Sequence, residues 1–323
     1  MNHEAGSRAD APRIDISSCL LGQQVRFDGG HKRDAFLVDT LGQFVEWIPV
    51  CPEVELGLGT PRDSLRLVRG DDAIRLVNKK TNEDISGSMR AWAAKRAERL
   101  AKQNLSGYIL KKDSPSCGME RVKVYDAHGT PVRTGRGLFA EALIARLPDL
   151  PVEEEGRLTD PRLRDNFIER VFAYQRLTRF FSGRWTVGGL VAFHTAHKLM
   201  LLAHSPAAYA RLGRLVAGAR SADRAELQTR YREGFMAALR TMATPRKHAN
   251  VLMHILGYFK RTLDEQSRED LLRSIEDYRL GLVPLVVPLT LARHYVRRSG
   301  EAYLAGQVYL DPHPKELMLR NHV

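Results

Sequence analysis

Gly107 to Cys117 reads GYILKKDSPSC, a short β-rich run that breaks into a polar, proline-bearing turn and ends on a cysteine. The same grammar occurs twice upstream, at Ile14 to Cys19 (IDISSC) and at Phe44 to Cys51 (FVEWIPVC). Branched and aromatic residues favour strands in these runs, and Val122 to Tyr125 reads as a further one. Between them Lys32 to Leu41 and Ser86 to Lys102 read as helices. The second places Met89, Trp92, Ala93, Arg96 and Leu100 at helical spacing, with Ser86 as N-cap, and Gly137 to Leu147 reads as a closing helix. Strands alternating with helices predict an α/β domain with a mostly parallel, Rossmann-like sheet. Side chains just past the carboxyl ends of parallel strands meet in one crevice, so Cys19, Cys51 and Cys117 are expected to converge there.

Pro148, Pro151 and the acidic Glu153, Glu154 and Glu155 then interrupt the pattern, and the strand signal fades. This divides the chain into a domain over 1–152, a linker over 153–160 and an all-α bundle over 161–323. Helical segments are expected at 161–181, 187–203, 206–219, 222–242, 245–264, 266–280 and 285–299. Thr244 before Pro245 is a clear start, a capping hydroxyl ahead of a residue whose missing N–H costs nothing there. Within that helix Val251, Leu252, Ile255, Leu256, Phe259 and Leu263 form an apolar stripe, with Arg246, Lys247, Lys260 and Arg261 off it.

The 323 residues carry a formal net charge of +12, unevenly placed. Residues 1–150 hold 23 basic and 20 acidic side chains, residues 151–323 hold 27 and 18. A polyanion such as nucleic acid is the expected partner, met by the helical half through Arg246, Lys247, Lys260 and Arg261. The N-terminus MNHEAGSRADAPR lacks an apolar export segment and no run is long enough to span a bilayer, so a cytoplasmic protein with no membrane partner is expected.

The three cysteines are too few and too widely spaced for a closed structural zinc site. A catalytic zinc, an iron–sulfur cluster with one iron left open, or three buried thiols remain. Polar neighbours favour a functional site: Cys51 leads into Pro52 and Glu53, and Cys117 lies in Ser114-Pro115-Ser116-Cys117-Gly118, a turn suited to holding an anion. Asp28, in RFDGG, is either a catalytic carboxylate or an Asx turn with Gly29 and Gly30, and Lys112 and Asp113 are equally open. His194, His197 and His204 lack a carboxylate at metalloprotease spacing and read first as packing residues. Gly57 to Thr60 is too short for a dinucleotide fingerprint and no phosphate loop occurs, so no nucleotide cofactor is expected.

Three strings carry a resemblance: ISSCLLG with RFDGG, VCPEVELGLGTPR, and LKKDSPSCGM with a following GRGLFAEAL helix. Over residues 14–150 the chain is similar to the thiouracil desulfidase family. Its second half, with FHTAHKLMLLAHSP, NVLMHILGYFK and QVYLDPHPKELMLRN, looks like the helical domain often fused to it. Together they resemble bacterial tRNA 4-thiouridine desulfidases. The resemblance implies a 4Fe-4S cluster held by Cys19, Cys51 and Cys117, its open iron taking the sulfur of a thiolated uridine in tRNA without net redox change. It also implies proton-transfer or orienting roles for Glu53 and Ser114. Glu55 stands where single-domain relatives tend to carry glycine, which marks a difference at the pocket rim. The competing readings are a desulfidase of free thiouracil or thiolated nucleosides, an ATP-dependent tRNA thiolase, which the missing phosphate loop disfavours, and an RNA-binding iron–sulfur sensor.

Overall fold

The computed structural model describes residues 10–323, and the first nine residues of the polar N-terminal stretch lie outside it. Contacts divide the chain into two compact units, one ending at Thr159 and one running from Asp160 to Val323.

In chain order the strands of the first unit are β1 (Arg13–Ser17), β2 (Glu46–Val50), β3 (Leu65–Arg69), β4 (Ile74–Asn78), β5 (Leu105–Leu110), β6 (Val122–Tyr125), β7 (Pro131–Gly135) and β8 (Val152–Glu154). Its α-helices are α1 (Pro52–Glu55), α2 (Ser86–Ala101) and α3 (Leu138–Arg146). Among the described residues, one sheet runs β2-β1-β5-β8 with every pairing parallel. The expected α/β architecture with a mostly parallel sheet is therefore present. β5 is buried along its whole length, as a central strand covered on both faces must be. The chain leaves β1 for β2 on one side and later returns to β5 on the other, which makes the carboxyl end of β1 the switch point where such sheets bind ligands.

A second, mixed sheet runs β4-β3-β6-β7. Only β6 was expected from sequence, although LRLVRGDDAIRLVN alternates with period two around a turn in which Gly70 N–H donates to the Ala73 carbonyl at 3.0 Å. Leu67, Leu76, Val122 and Val124 of this sheet pack on Met89 of α2 and Leu138 of α3.

Three local expectations change. Ser86 is not the cap of α2, whose N-cap position is Ile85. Its hydroxyl instead accepts from Leu76 N–H at 2.7 Å, tying the helix to β4. The helix expected over 32–41 is a π turn, Phe36–Thr40, followed by a 3₁₀ turn, Leu41–Gln43; so few residues bury Leu37 and Leu41 without propagating an α-helix. Glu153 and Glu154, read as the start of a linker, belong to β8, which pairs with Tyr108–Leu110. They tolerate burial because Glu153 accepts from Arg157 Nε at 2.7 Å and Glu154 from Met119 N–H at 2.7 Å.

The second unit contains no strand among its described residues. Its helices are α4 (Pro161–Ser182), α5 (Val187–Ala196), α6 (Lys198–His204), α7 (Pro206–Ala217), α8 (Arg224–Arg240), α9 (Pro245–Tyr258), α10 (Glu265–Arg279), α11 (Val286–Ser299) and α12 (Ala302–Ala305). Asp160-Pro161, Ser205-Pro206 and Thr244-Pro245 each place a capping side chain before a proline at the first helical turn, and each cap accepts a backbone N–H. The helix expected over 187–203 breaks at His197, which ends α5 and leads into α6. Phe167, Tyr231, Phe235, Leu252, Ile255 and Tyr309 are among the fully buried residues. None of the described helices is long and apolar enough to cross a membrane.

Candidate active site

The loops leaving β1, β2 and β5 enclose a cavity of about 370 Å³ whose lining includes Cys19, Cys51 and Cys117. Cys51 directly follows β2, Cys19 sits in the 3₁₀ turn after β1, and Cys117 ends the longer loop after β5. The convergence expected from the strand endings is thus what the fold produces, and all three thiols are free of disulfides.

The Cys117 loop is held from below by α3. Backbone N–H groups of Leu138, Phe139 and Ala140, which open the helix and have no partner inside it, donate to the carbonyls of Pro115 (3.3 Å) and Ser116 (3.0 and 3.2 Å). Gly137 permits this approach. A Cβ there would lie 2.4 Å from the Ser116 carbonyl carbon and oxygen and 2.8 Å from Cys117 N. The Ser114 hydroxyl accepts from Cys117 N–H at 3.1 Å and Ser116 N–H at 3.3 Å, so this residue, read as a proton-transfer candidate, lines the cavity while shaping the turn that presents Cys117.

Glu53 lines the cavity as expected, but it is not a lone carboxylate. Its Oε2 accepts from both Nε (3.0 Å) and Nη2 of Arg62, and its Oε1 accepts from the Ser116 hydroxyl at 2.9 Å. Arg62 is 7% exposed at its side chain and Glu53 14%, so the pair is largely withdrawn from water. Arg62 and Ser116 both fall inside the strings that carry the resemblance, but neither is marked by its sequence as a partner of Glu53. The nearest signal is an arginine closing a glycine-rich loop nine residues after a carboxylate that needs a partner.

Arg26, Lys32, Arg62, Lys111 and Lys112 also line the cavity, against Glu53 and Asp113. Burial pushes the Cys19 thiol up to about 11, with Lys111 pulling the other way. Burial also raises Cys51 and, further, Cys117, whose sulfur is met by the Ser17 hydroxyl. Buried thiols of this kind become thiolates when cations replace their protons. Among the described residues no group of three or more His, Cys, Asp or Glu side chains is placed around a single metal ion. Three thiols lining one cavity are the donor type that would hold an iron–sulfur cluster, which takes its protein ligands from cysteine thiolates.

Asp28 does not line the cavity. It is exposed, its Oδ1 accepts from Gly30 N–H at 3.0 Å, and that hydrogen bond holds its carboxyl below the ordinary carboxylate range, so the catalytic reading gives way to the turn. Asp113 does line it, paired with Arg133 at 2.8 Å. Glu55 lies off the cavity and meets Arg96 at 3.2 Å, so the departure from the glycine of relatives does not alter the rim.

In the second unit His194, His197 and His204 are buried packing residues. His194 meets the Tyr231 hydroxyl at 3.1 Å, His197 the Phe193 carbonyl at 2.7 Å and His204 the Glu169 carboxylate at 3.1 Å. Burial lowers His194 to about 4 and His197 to about 3, which leaves both neutral at ordinary pH. Arg246, Lys260 and Arg261 are exposed. Lys247 is not available in the same way, since its Nζ donates to the His204 carbonyl at 2.7 Å.

An α/β domain with three thiols at its switch point, joined in one chain to a helical domain, is the class these features define. Residues 14–155 match the family described as 2-thiouracil desulfurase, and residues 198–314 match one described as a protein of unknown function (DUF1722). The uncharacterized protein YbgA of Escherichia coli (strain K12) is 36% identical over 161 residues, 50% of this chain and 95% of that one. The uncharacterized protein YbbK of Bacillus subtilis (strain 168) is 30% identical over 135 residues, 40% of this chain and 88% of that one. Among solved structures, the 4Fe-4S-dependent thiouracil desulfidase TudS shares 30% identity over 46% of this chain and 93% of its own, with a TM-score of 0.38. The chain belongs to the 2-thiouracil desulfurase family, carrying a DUF1722 domain beside it.

Proposed function

We propose that this chain is an iron–sulfur-dependent desulfidase that converts 4-thiouridine in tRNA to uridine and releases sulfide with no net oxidation or reduction. One observation carries the reading: three thiols from the ends of three adjacent parallel strands line the same cavity as an ion-paired carboxylate, Glu53. Cys19, Cys51 and Cys117 would hold a 4Fe-4S cluster, the group on which the relative TudS depends. When bound, the cluster supplies an iron without a protein ligand, a Lewis acid for sulfur.

The chain's own residues supply the rest. Exchanging C=S for C=O consumes one water and yields hydrogen sulfide, so protons must leave the water and reach the departing sulfur. Glu53 is the group placed to move them, held in one orientation by Arg62 and Ser116. Lys32 and Lys112 line the cavity with no salt bridge among the described residues, and favour an anionic cluster and product.

Support for tRNA comes from the charge of residues 151–323 and from exposed Arg246, Lys260 and Arg261. A second reading, free thiouracil as substrate, is favoured by the family's description. Anaerobically reconstituted protein, given 4-thiouridine-containing tRNA without ATP, is expected to form uridine and sulfide in equal amounts. Turnover of free thiouracil but not of tRNA would replace the first reading by the second, and no sulfide from either would overturn both.

A further inference from the structure

In the helical unit, α5 and α7 leave a groove of about 570 Å³ that the desulfidase reading does not use. Val187, Val191 and His194 recur at helical spacing on α5, and Ala210, Gly213 and Ala217 do so on α7, so one face of each helix lines it. The floor is apolar, and Val191 is 45% exposed upon it. Lys198, Arg214 and Arg220 also belong to the lining, which holds no acid, and none of the three forms a salt bridge among the described residues.

One buried polar atom in this floor has no partner. His194 is 3% exposed, its Nδ1 meets the Tyr231 hydroxyl at 3.1 Å, and its Nε2 has no hydrogen bond. That hydroxyl has no other acceptor among the described residues, so it donates to Nδ1 and leaves the proton of the neutral ring on Nε2. Gly213 shows which way Nε2 looks. A Cβ added there would meet that nitrogen alone, at 3.9 Å. Glycine inside a helix weakens it, and no packing forbids a side chain at this position, so what the glycine preserves is the opening above His194.

We propose that this groove binds a small amphipathic anion, its apolar body against Val187 and Val191 and its acid group between Lys198 and Arg214, with His194 Nε2–H as a further donor. Lys198 lies one helical turn past His194 and Arg214 is next to Gly213, so charge and donor gather at one place. The volume falls within the roughly 300–1,000 Å³ of sites that hold small ligands, and an apolar wall with a few convergent polar groups is their usual make-up. A nucleic-acid backbone would use the cations and leave the floor bare, which favours a carboxylate or sulfonate on a carbon skeleton. The site lies within the helical unit and stands apart from desulfidation.

The test titrates the full-length protein with anilinonaphthalene sulfonate, whose fluorescence rises when its apolar body leaves water. A saturable site is expected, displaced by octanoate and not by octanol at equal concentration. Arg214→Glu should weaken it about tenfold or more, since a repelling charge replaces an attracting one. Gly213→Leu should abolish it while the melting temperature holds or rises, because leucine favours helix and its side chain fills the groove. Absence of a saturable site would overturn the proposal. So would octanol displacing the probe as well as octanoate does, or binding unchanged in either variant. Displacement of the probe by tRNA, with tRNA affinity lost in Gly213→Leu, would give the groove to RNA and overturn the proposal as well.

Discussion

Arg62 donates to Oε2 of Glu53 through both Nε, at 3.0 Å, and Nη2, while its Nη1 donates to the carbonyls of Val25 at 3.0 Å and Gly59 at 2.9 Å. One guanidinium therefore orients the carboxylate of the Cys-Pro-Glu sequence and ties it to the loops at Val25 and Gly59. Arg62→Ala should lower kcat on the order of a hundredfold, the cost of a displaced catalytic group, with a smaller change in KM. Arg62→Lys keeps the charge but not the fan of donors and should recover only part of the loss. A variant with unchanged kcat would remove Arg62 from the positioning of Glu53.

Ser116 and Ser114 should fail in different ways. Ser116→Ala leaves Oε1 of Glu53 without its hydroxyl donor, and hydrogen bonds to charged groups are worth about 1.5–3 kcal/mol, so turnover should fall on the order of tenfold or more while iron content holds. Ser114→Ala removes the acceptor for the Cys117 and Ser116 N–H groups, and its expected signature is reduced iron retention. Iron and sulfide analysis of both variants beside their kcat distinguishes the two roles. Identical behaviour would contradict the division.

Gly137→Ala tests the seat of the Cys117 loop. The new methyl would meet the Ser116 carbonyl at 2.4 Å, a distance no packing accommodates, so the loop or the start of α3 must move. We expect a lower melting temperature and lost iron together. Retention of both would mean that the loop is not fixed by the helix.

Asp15 carries a pH signature. It is fully buried, neither of its carboxylate oxygens has a hydrogen-bond partner, and burial pushes its carboxyl up to about 7 against the pull of Arg96 and Arg13. The folded state then keeps a proton that the unfolded chain has released, across the window from the ordinary 3.8 to about 7. This contribution to stability is present below the window and lost as pH rises through it. Asp15→Asn should raise the melting temperature at pH 8 by ~3 °C or more, with the gain shrinking toward pH 4. A gain independent of pH would assign the effect to packing instead.

For the helical unit, affinity for tRNA should fall with salt with a log-log slope on the order of −3 or steeper. Arg246→Glu with Lys260→Glu should weaken binding without changing the melting temperature. Lys247 is unsuited to this test because its ammonium holds the His204 carbonyl. Affinity that ignores salt would contradict RNA contact by this unit.

Much of this was legible in the residues. Strand runs ending in Cys19, Cys51 and Cys117 announced both the parallel sheet and the crevice, because side chains past neighbouring strand ends have nowhere else to meet. Thr244 before Pro245 announced the start of α9, and the structure shows the same pairing of cap and proline opening α4 and α7. The partners of Glu53 were not legible: Arg62 and Ser116 reach it across 9 and 63 positions, through loops whose path no periodicity encodes. Nor was the fate of Glu153 and Glu154, since an acidic run looks like a solvated linker until Arg157 and the Met119 N–H are seen to satisfy it.

The three-thiol site itself is tested most directly by iron and acid-labile sulfide in protein reconstituted anaerobically, with spectra of the parent chain and of Cys19→Ala, Cys51→Ala and Cys117→Ala. We expect about four irons and four sulfides per chain in the parent, and loss of the visible absorption and of desulfidation in each variant, with far-ultraviolet circular dichroism unchanged. A full complement of iron in any one of the three, or full activity in the colourless triple variant, would contradict the account.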